Sequence, residues 1–217
     1  MVYIIDTANN EEIEDSLSLG INGITANSSM YLKNNENFYS FLNKYSSKNL
    51  DFLSGEVMSD TFEDMVEEVN KIQEINKNIV IKINFSKEGL KLCKYLKEKG
   101  IKSAMTLIFN VAQALASINA GADYLFVFIG RNDDNGHDGL SIIESIQSIV
   151  KDKDYKTKVV AASIKNLYQL EKLSTMGIDF AAIPYNLYIK SLYHPLTESG
   201  IKTFKEDWKS LKNLNNL

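Results

Sequence analysis

Along the whole chain, short runs of β-branched, aromatic and other apolar residues alternate with segments whose apolar positions recur at helical spacing. The β-rich runs cover residues 2–6, 23–26, 51–57, 79–83, 103–107, 124–129, 158–162 and 180–183, each short enough to read as one strand. Between them lie sets such as Phe62, Met65, Val66, Val69 and Ile72, or Leu90, Leu92, Cys93 and Leu96, with Lys and Glu on the opposite face, as expected of helices that cover a sheet. The helix exits repeat too. Leu19-Gly20-Ile21, Lys99-Gly100-Ile101, Ala120-Gly121-Ala122 and Met176-Gly177-Ile178 each place a glycine where a left-handed cap is wanted, just before a strand.

Eight strand–helix units in 217 residues are the count of a compact parallel barrel, whereas a doubly wound open sheet more often has about five to seven strands. The chain therefore reads as an α/β protein, a single (β/α)8 TIM barrel spanning residues 1–217 with an extra C-terminal helix. Only two prolines, Pro184 and Pro195, are present, and no Ser/Gly-rich stretch marks a domain boundary. Within residues 196–217, Phe204, the sole tryptophan Trp208, and Leu211 fall on one helical face, which predicts a terminal helix that docks on something.

Composition narrows the function. With 44% hydrophobic and 24% charged residues the chain is not disordered. Its 24 basic and 28 acidic residues leave a net charge of −4, so there is no overall basic field to hold nucleic acid or an anionic membrane, and an anionic ligand must be small and locally held. Cys93 is the only cysteine. That excludes disulfide frameworks and cysteine-based zinc sites and fits a reducing cytoplasm, with Cys93 packing a helix. The opening Met1-Val2-Tyr3-Ile4-Ile5-Asp6 resembles a strand rather than a signal peptide or lipidation site, and no apolar run is long enough to span a membrane. The expected location is cytoplasmic.

In a barrel of this kind the chemistry sits at the carboxyl ends of the strands. The polar residues there are Asp6, Thr25, Asn27, Glu56, Lys82, Thr106, Arg131 and Ser163, with Lys165 beyond. Lys82 interrupts Ile79-Val80-Ile81-Lys82-Ile83, and alternation puts the isoleucines toward the helices and Lys82 toward the barrel interior. A desolvated amine there is available to attack a carbonyl; the alternative is an edge-strand lysine in water. Arg131 is the sole arginine. Its fork suits phosphate, or else a salt bridge to Asp133 or Asp134. Ser163 and Lys165 offer a hydroxyl and a charge near the start of the next helix. Asp6 and Glu56 suit general acid–base work, although a carboxylate ending a strand is as often a helix cap. His137 and His194 lack ligand spacing and read as structural. No glycine-rich phosphate loop, GxSxG elbow or HExxH motif occurs, which argues against nucleotide transfer, serine hydrolysis and zinc peptidase chemistry.

The whole chain resembles the small transaldolases and fructose-6-phosphate aldolases, a class I aldolase family of compact (β/α)8 barrels. The segments that carry the resemblance are Ile5-Asp6-Thr7-Ala8-Asn9, Gly23-Ile24-Thr25-Ala26-Asn27, Ser54-Gly55-Glu56-Val57, Ile81-Lys82-Ile83, Thr106-Leu107-Ile108-Phe109, Phe128-Ile129-Gly130-Arg131, Ala161-Ala162-Ser163-Ile164-Lys165 and His194-Pro195-Leu196-Thr197. The resemblance implies that Lys82 forms a Schiff base, that Asp6 handles the substrate hydroxyl proton, and that Glu56 and Thr106 hold the catalytic water. It implies Thr25 and Asn27 near the substrate hydroxyls, with Arg131, Ser163 and Lys165 on the sugar phosphate. It further implies a cofactor-free and metal-free transaldolase of the pentose phosphate pathway, acting on sugar phosphates as a homo-oligomer, a pentamer or decamer.

Some positions depart from the family pattern. Ala26 and Ser28 replace a threonine and a proline, Asn84 replaces a proline, and Lys165 replaces an arginine. Ala104 and Phe126 stand where many transaldolases have Asn and Ser near the bound ketose. Fructose-6-phosphate aldolases tend to have Gln at the position of Glu56 and Tyr at that of Phe128, so the pair in this chain points to transfer rather than release. The rival expectations are a fructose-6-phosphate aldolase and a weakened barrel that only binds sugar phosphates.

Overall fold

The computed structural model describes residues 1–215, so the last two positions of the predicted terminal segment 196–217 lie outside the described residues. The elements run β1 (Val2–Asp6), α1 (Asn10–Ser18), β2 (Gly23–Thr25), α2 (Ser28–Lys33), α3 (Phe38–Ser46), β3 (Phe52–Val57), α4 (Phe62–Ile75), β4 (Val80–Asn84), α5 (Lys87–Lys99) and β5 (Ser103–Ile108). There follow α6 (Val111–Ala120), β6 (Tyr124–Phe128), α7 (Ile129–Asp134), α8 (Gly139–Asp152), β7 (Lys158–Ala162), α9 (Leu167–Thr175), β8 (Phe180–Ile183), α10 (Tyr185–Ser191) and α11 (Pro195–Asn215). All eight predicted strands are present, most with ends moved by a residue, while the short α2, α3 and α7 go beyond the predicted pattern.

Two compact units are present, Met1–Tyr185 and Asn186–Leu217. The first is a closed parallel barrel in strand order β1 to β8, with β8 returning to β1 through pairs such as Val2 with Phe180. The fold is thus the (β/α)8 barrel that the alternation predicts. Its interior is filled by inward side chains from Ile4, Phe52, Val80, Ala104, Phe126, Val160, Ala162 and Ala182. At the amino ends of their strands, Phe52, Tyr124 and Phe180 stack edge-on and tilted, with the Phe52 and Tyr124 centroids 5.1 Å apart, and so close that end of the core.

The outward residues pack on the helices. Ile83 lies so close to α5 that a Cβ on Gly89 would come within 3.1 Å of its Cγ2. Helix starts are set locally by side-chain caps: Asn9, Asn27, Asn37, Thr61, Ser86, Asn110, Asp138 and Asn166 each accept a backbone N–H of the first turn. The four predicted exit glycines, Gly20, Gly100, Gly121 and Gly177, all have positive φ, where a side chain would be strained.

One irregularity falls at the carboxyl end of the barrel. The β5–β6 register slips between Met105 and Ile108, and Leu107 takes φ 59°. Such an irregularity bends and twists the strand locally, here next to Thr106.

The second unit is dominated by the 21-residue α11. His194 Nδ1 accepts the Leu196 N–H at its start. Ile201, Phe204, Trp208 and Leu211 form an exposed apolar stripe on it. Among the described residues no helix is long and apolar enough to cross a membrane.

Candidate active site

Lys82 is 4% exposed in the middle of β4, which is paired on one side with β3 and on the other with β5. The edge-strand alternative therefore does not describe it. Its Nζ donates to the Ala26 carbonyl at 3.2 Å, stands 3.9 Å from Glu56 Oε1 and lies 5.5 Å from the centre of the Phe126 ring. A carbonyl, a carboxylate and a π face thus surround the amine. The register aligns Glu56, Lys82 and Ala104 across three adjacent strands.

Neither strand-end carboxylate is a helix cap, since Asn9 caps α1 and Thr61 caps α4. Asp6 and Glu56 are therefore free of the local role that their positions allowed. Burial pushes the Asp6 carboxyl up to about 6, with Glu56 adding to the shift and Lys82 opposing it. Burial also raises the Glu56 carboxyl, while Lys82 and a hydrogen bond from the Ser28 backbone N–H pull it back. That N–H exists because Ser28 is not a proline. Two carboxylates sharing one lysine are in this way held partly toward their neutral forms.

The opposite wall is cationic. The Arg131 guanidinium lies 5.0 Å over the Phe128 ring, and that ring sits 5.5 Å from Phe109. Among the described residues Arg131 has no ion pair: Asp133 takes the N–H of Gly139 and the amide of Gln169, and Asp134 pairs with Lys165 at 3.6 Å. Ser163 has φ 58°, and its carbonyl accepts the Gly130 N–H at 3.0 Å. A Cβ at Gly130 would fall 2.2 Å from that carbonyl oxygen and 2.5 Å from Lys165 Cγ. Only glycine lets the Arg131 corner close against the Ser163–Lys165 loop.

Seven of the sequence-predicted residues line one cavity of about 230 Å³: Asp6, Asn27, Lys82, Phe128, Arg131, Ser163 and Lys165, with Phe126, Ala162 and Ala182 also on its lining. Asn27 spends its side-chain oxygen on capping α2. Three predicted residues stand off this lining. Thr25 is buried and bonded to Ser54 at 2.8 Å, and Thr106 Oγ1 is buried without a partner among the described residues. Glu56 lines a second pocket of about 260 Å³ with Tyr31, Tyr39 and Met58. Tyr31 is a buried neighbour that sequence reasoning does not find. Its hydroxyl is raised by burial and then by the charges of Glu56 and Asp6, and no spacing in the sequence signals it. Among the described residues no group of three or more His, Cys, Asp or Glu side chains is arranged to hold a metal ion.

Fold and cavity together define a (β/α)8-barrel enzyme with its polar residues gathered at the carboxyl ends of the strands. The chain belongs to the transaldolase/fructose-6-phosphate aldolase family: residues 3–215 match the family model described as Transaldolase/Fructose-6-phosphate aldolase. Similar curated proteins include a probable transaldolase of Thermoanaerobacter sp. (strain X514), 40% identical over 96% of this chain and 97% of that protein. A probable transaldolase of Desulfitobacterium hafniense (strain DSM 10664 / DCB-2) is 39% identical over 98% of this chain and 100% of its own length. One of Clostridioides difficile (strain 630) is 40% identical over 96% and 97%.

Proposed function

We propose that the chain is a class I transaldolase, which moves a dihydroxyacetone unit from a ketose phosphate, such as fructose 6-phosphate or sedoheptulose 7-phosphate, to an aldose phosphate. The observation that carries this reading is a buried lysine amine opening on the same cavity as Asp6 at one side and Arg131 at the other. Lys82 attacks the ketose carbonyl and, as water leaves, becomes an iminium. Asp6 takes the proton of the hydroxyl on the next carbon but one, the carbon–carbon bond breaks, and its electron pair flows into the iminium to give an enamine. The shortened aldose phosphate departs, an acceptor aldehyde takes its place, and the steps run in reverse.

Glu56 and Thr106 hold the water exchanged at the imine, a role supported by the unpaired Thr106 hydroxyl and by the closeness of Glu56 to Lys82. Asn27, with Thr25 behind it, faces the substrate hydroxyls. Arg131, Ser163 and Lys165 take the phosphate, the arginine through its fork. The iminium supplies the polarisation that a metal ion supplies in a metal-dependent aldolase, so the reaction as proposed uses no cofactor. We place the enzyme in the cytoplasm, as one domain per chain, in a homo-oligomer built from pentamers through the apolar stripe of α11. Incubation with fructose 6-phosphate and borohydride tests the core of the reading. A reduced adduct on Lys82 is expected, and no adduct, or one on another lysine, overturns it.

A further inference from the structure

We propose that the pocket of about 260 Å³ lined by Tyr31, Phe38, Tyr39 and Glu56 binds a small methylated ammonium ion, of the size and chemistry of choline. This pocket shares no lining residue with the Lys82 cavity, so the proposal stands apart from the Schiff-base reading.

Four elements and one strand exit build its walls. Tyr31 comes from α2, Phe38 and Tyr39 from the start of α3, Glu56 from the last but one position of β3, Met58 from just beyond that strand, and Glu68 from α4. The rings meet at steep angles, as adjoining walls do. Tyr31 and Phe38 have centroids 5.4 Å apart at 86°, and Phe38 and Tyr39 have centroids 5.0 Å apart at 67°. Phe41, 5.1 Å from Tyr31, anchors that ring from the core. The Asn84 amide, 3.5 Å from the Met58 sulfur, steadies the thioether. Aromatic rings and a polarisable sulfur are the surface on which methyl groups carrying positive charge are held.

The polar groups of the pocket ask for a cation. Glu68 Oε2 accepts the N–H groups of Met58 at 2.8 Å and Ser59 at 3.2 Å, which fixes the carboxylate, while its Oε1 makes no hydrogen bond among the described residues. The Glu56 side chain is 7% exposed, and its one ion pair among the described residues is the 3.9 Å contact with Lys82. Tyr31 is equally buried, yet its hydroxyl has no hydrogen-bond partner among the described residues. It is not one of the sealed unpaired atoms, so it opens on the pocket that Tyr31 lines. Burial raises this hydroxyl first, and the charges of Glu56, Asp6 and Glu36 raise it further. The field that disfavours a phenolate here favours a cation. Nearby helix starts do not oppose it, because the N–H groups of Ser28, Met30 and Ser40 are already taken by Glu56, Asn27 and Asn37.

Among cations the lining favours the methylated kind. A primary ammonium is strongly hydrated and needs an acceptor for each of its three protons. A quaternary ammonium has no N–H to satisfy and presents carbon to the rings and the thioether.

The test is calorimetric titration of the full chain with three probes: choline, the neutral isostere 3,3-dimethylbutan-1-ol, and ethanolamine. Choline is expected to bind at least roughly tenfold more tightly than either of the others. Equal affinity for the isostere would leave a merely apolar pocket and overturn the cation, equal affinity for ethanolamine would overturn the methylated class, and no binding of choline would overturn the site. Two variants locate it. Tyr39→Ala removes a ring that is 40% exposed and should weaken choline roughly tenfold, and Glu68→Gln, which keeps the acceptor for the two N–H groups but loses the charge, should weaken it severalfold. Both should melt like the unmodified chain and keep its activity on fructose 6-phosphate. If both bind choline as the unmodified chain does, the assignment to this pocket is overturned.

Discussion

Glu56 and Lys82 occupy paired register positions on β3 and β4, and their charged atoms stand 3.9 Å apart in a nearly water-free setting. Lys82 is the charge that offsets the burial of Glu56, as it does that of Asp6, and the Ala26 carbonyl and the Ser28 N–H add further polar contacts to the pair. Removing one member of such a pair leaves the other buried and uncompensated. Lys82→Met should therefore do two things: end the reaction and raise the Glu56 carboxyl further. Lys82→Arg keeps a positive charge but cannot supply a neutral amine. Neither variant should give a borohydride adduct, and product formation should drop below detection in both. Activity retained by Lys82→Arg would remove the imine from the mechanism.

Asp6 ties the reaction to pH. Its carboxyl titrates near 6 in the folded chain, and the proposed cleavage needs it ionised, so kcat/KM should fall on acidification with a limb near pH 6. Glu56 is one of the groups that raise Asp6, so Glu56→Gln should move the limb to lower pH whatever it does to the maximal rate. A limb that stays in place or rises would show that another group controls it.

The same shift has a stability consequence of defined sign. The ordinary Asp6 value is 3.8 and the folded value is about 6, so between these limits the folded chain holds more protons than the unfolded one. The contribution favours folding at low pH and is lost as pH rises through 6. Asp6→Asn, which cannot ionise, should raise stability at about pH 8 by on the order of 2 kcal/mol and change it little at about pH 4. Thermal melts at the two pH values check this, and an equal effect at both would assign the change to packing.

The phosphate assignment is read from Arg131. Arg131→Lys keeps a charge but loses the fork, and Arg131→Ala loses both. KM for fructose 6-phosphate should rise by roughly tenfold in the lysine variant and further in the alanine variant, corresponding to about 1.4 kcal/mol or more. Unphosphorylated dihydroxyacetone should be nearly unaffected. Equal losses on both substrates would make Arg131 a structural residue that clamps Phe128.

How far the sequence could carry these conclusions differs from element to element. Lys82 was legible because Ile81 and Ile83 flank it in strict alternation and the number of β/α units implied a closed sheet, so that the inward face had to be the barrel interior. The exit glycines were legible because a positive φ has a one-residue signature. Whether Asp6 and Glu56 were caps was not, since Asn9 and Thr61 a few residues on were equally able to cap and only the backbone shows which side chain reaches the free N–H groups. The six-residue α2 and α7 are too short to show a period, and so the sixth strand read one residue too long, through Ile129. The placing of Tyr31 beside Glu56 in one pocket depends on packing between distant segments, which no local pattern encodes.

Assembly is tested on α11. Phe204 and Trp208 are 74% and 55% exposed in the single chain, a large apolar patch of the kind that marks an interaction surface. Truncation before Leu196 should lower the particle mass seen by light scattering from a pentamer or decamer to a smaller species. An unchanged mass would assign the interface elsewhere.

The choice between transfer and release turns on Phe128. Its ring lines the cavity beneath Arg131 and carries no hydroxyl, so it cannot protonate the three-carbon enamine held on Lys82. On the proposed mechanism the enamine then persists until an aldehyde arrives, because no acid stands at that wall and Glu56 is proposed to serve the imine water. Transfer to erythrose 4-phosphate should therefore exceed net release of the three-carbon ketone by at least roughly tenfold, a barrier difference of about 1.4 kcal/mol. Phe128→Tyr places a phenol at that wall and should shift the ratio toward release without abolishing borohydride trapping. A coupled assay run with and without the acceptor measures the ratio directly. If the unmodified enzyme frees the ketone as fast as it transfers it, the chain is an aldolase, and the acid that protonates the enamine must be sought elsewhere, with the Tyr31 hydroxyl, which shares a pocket with Glu56, the first to test.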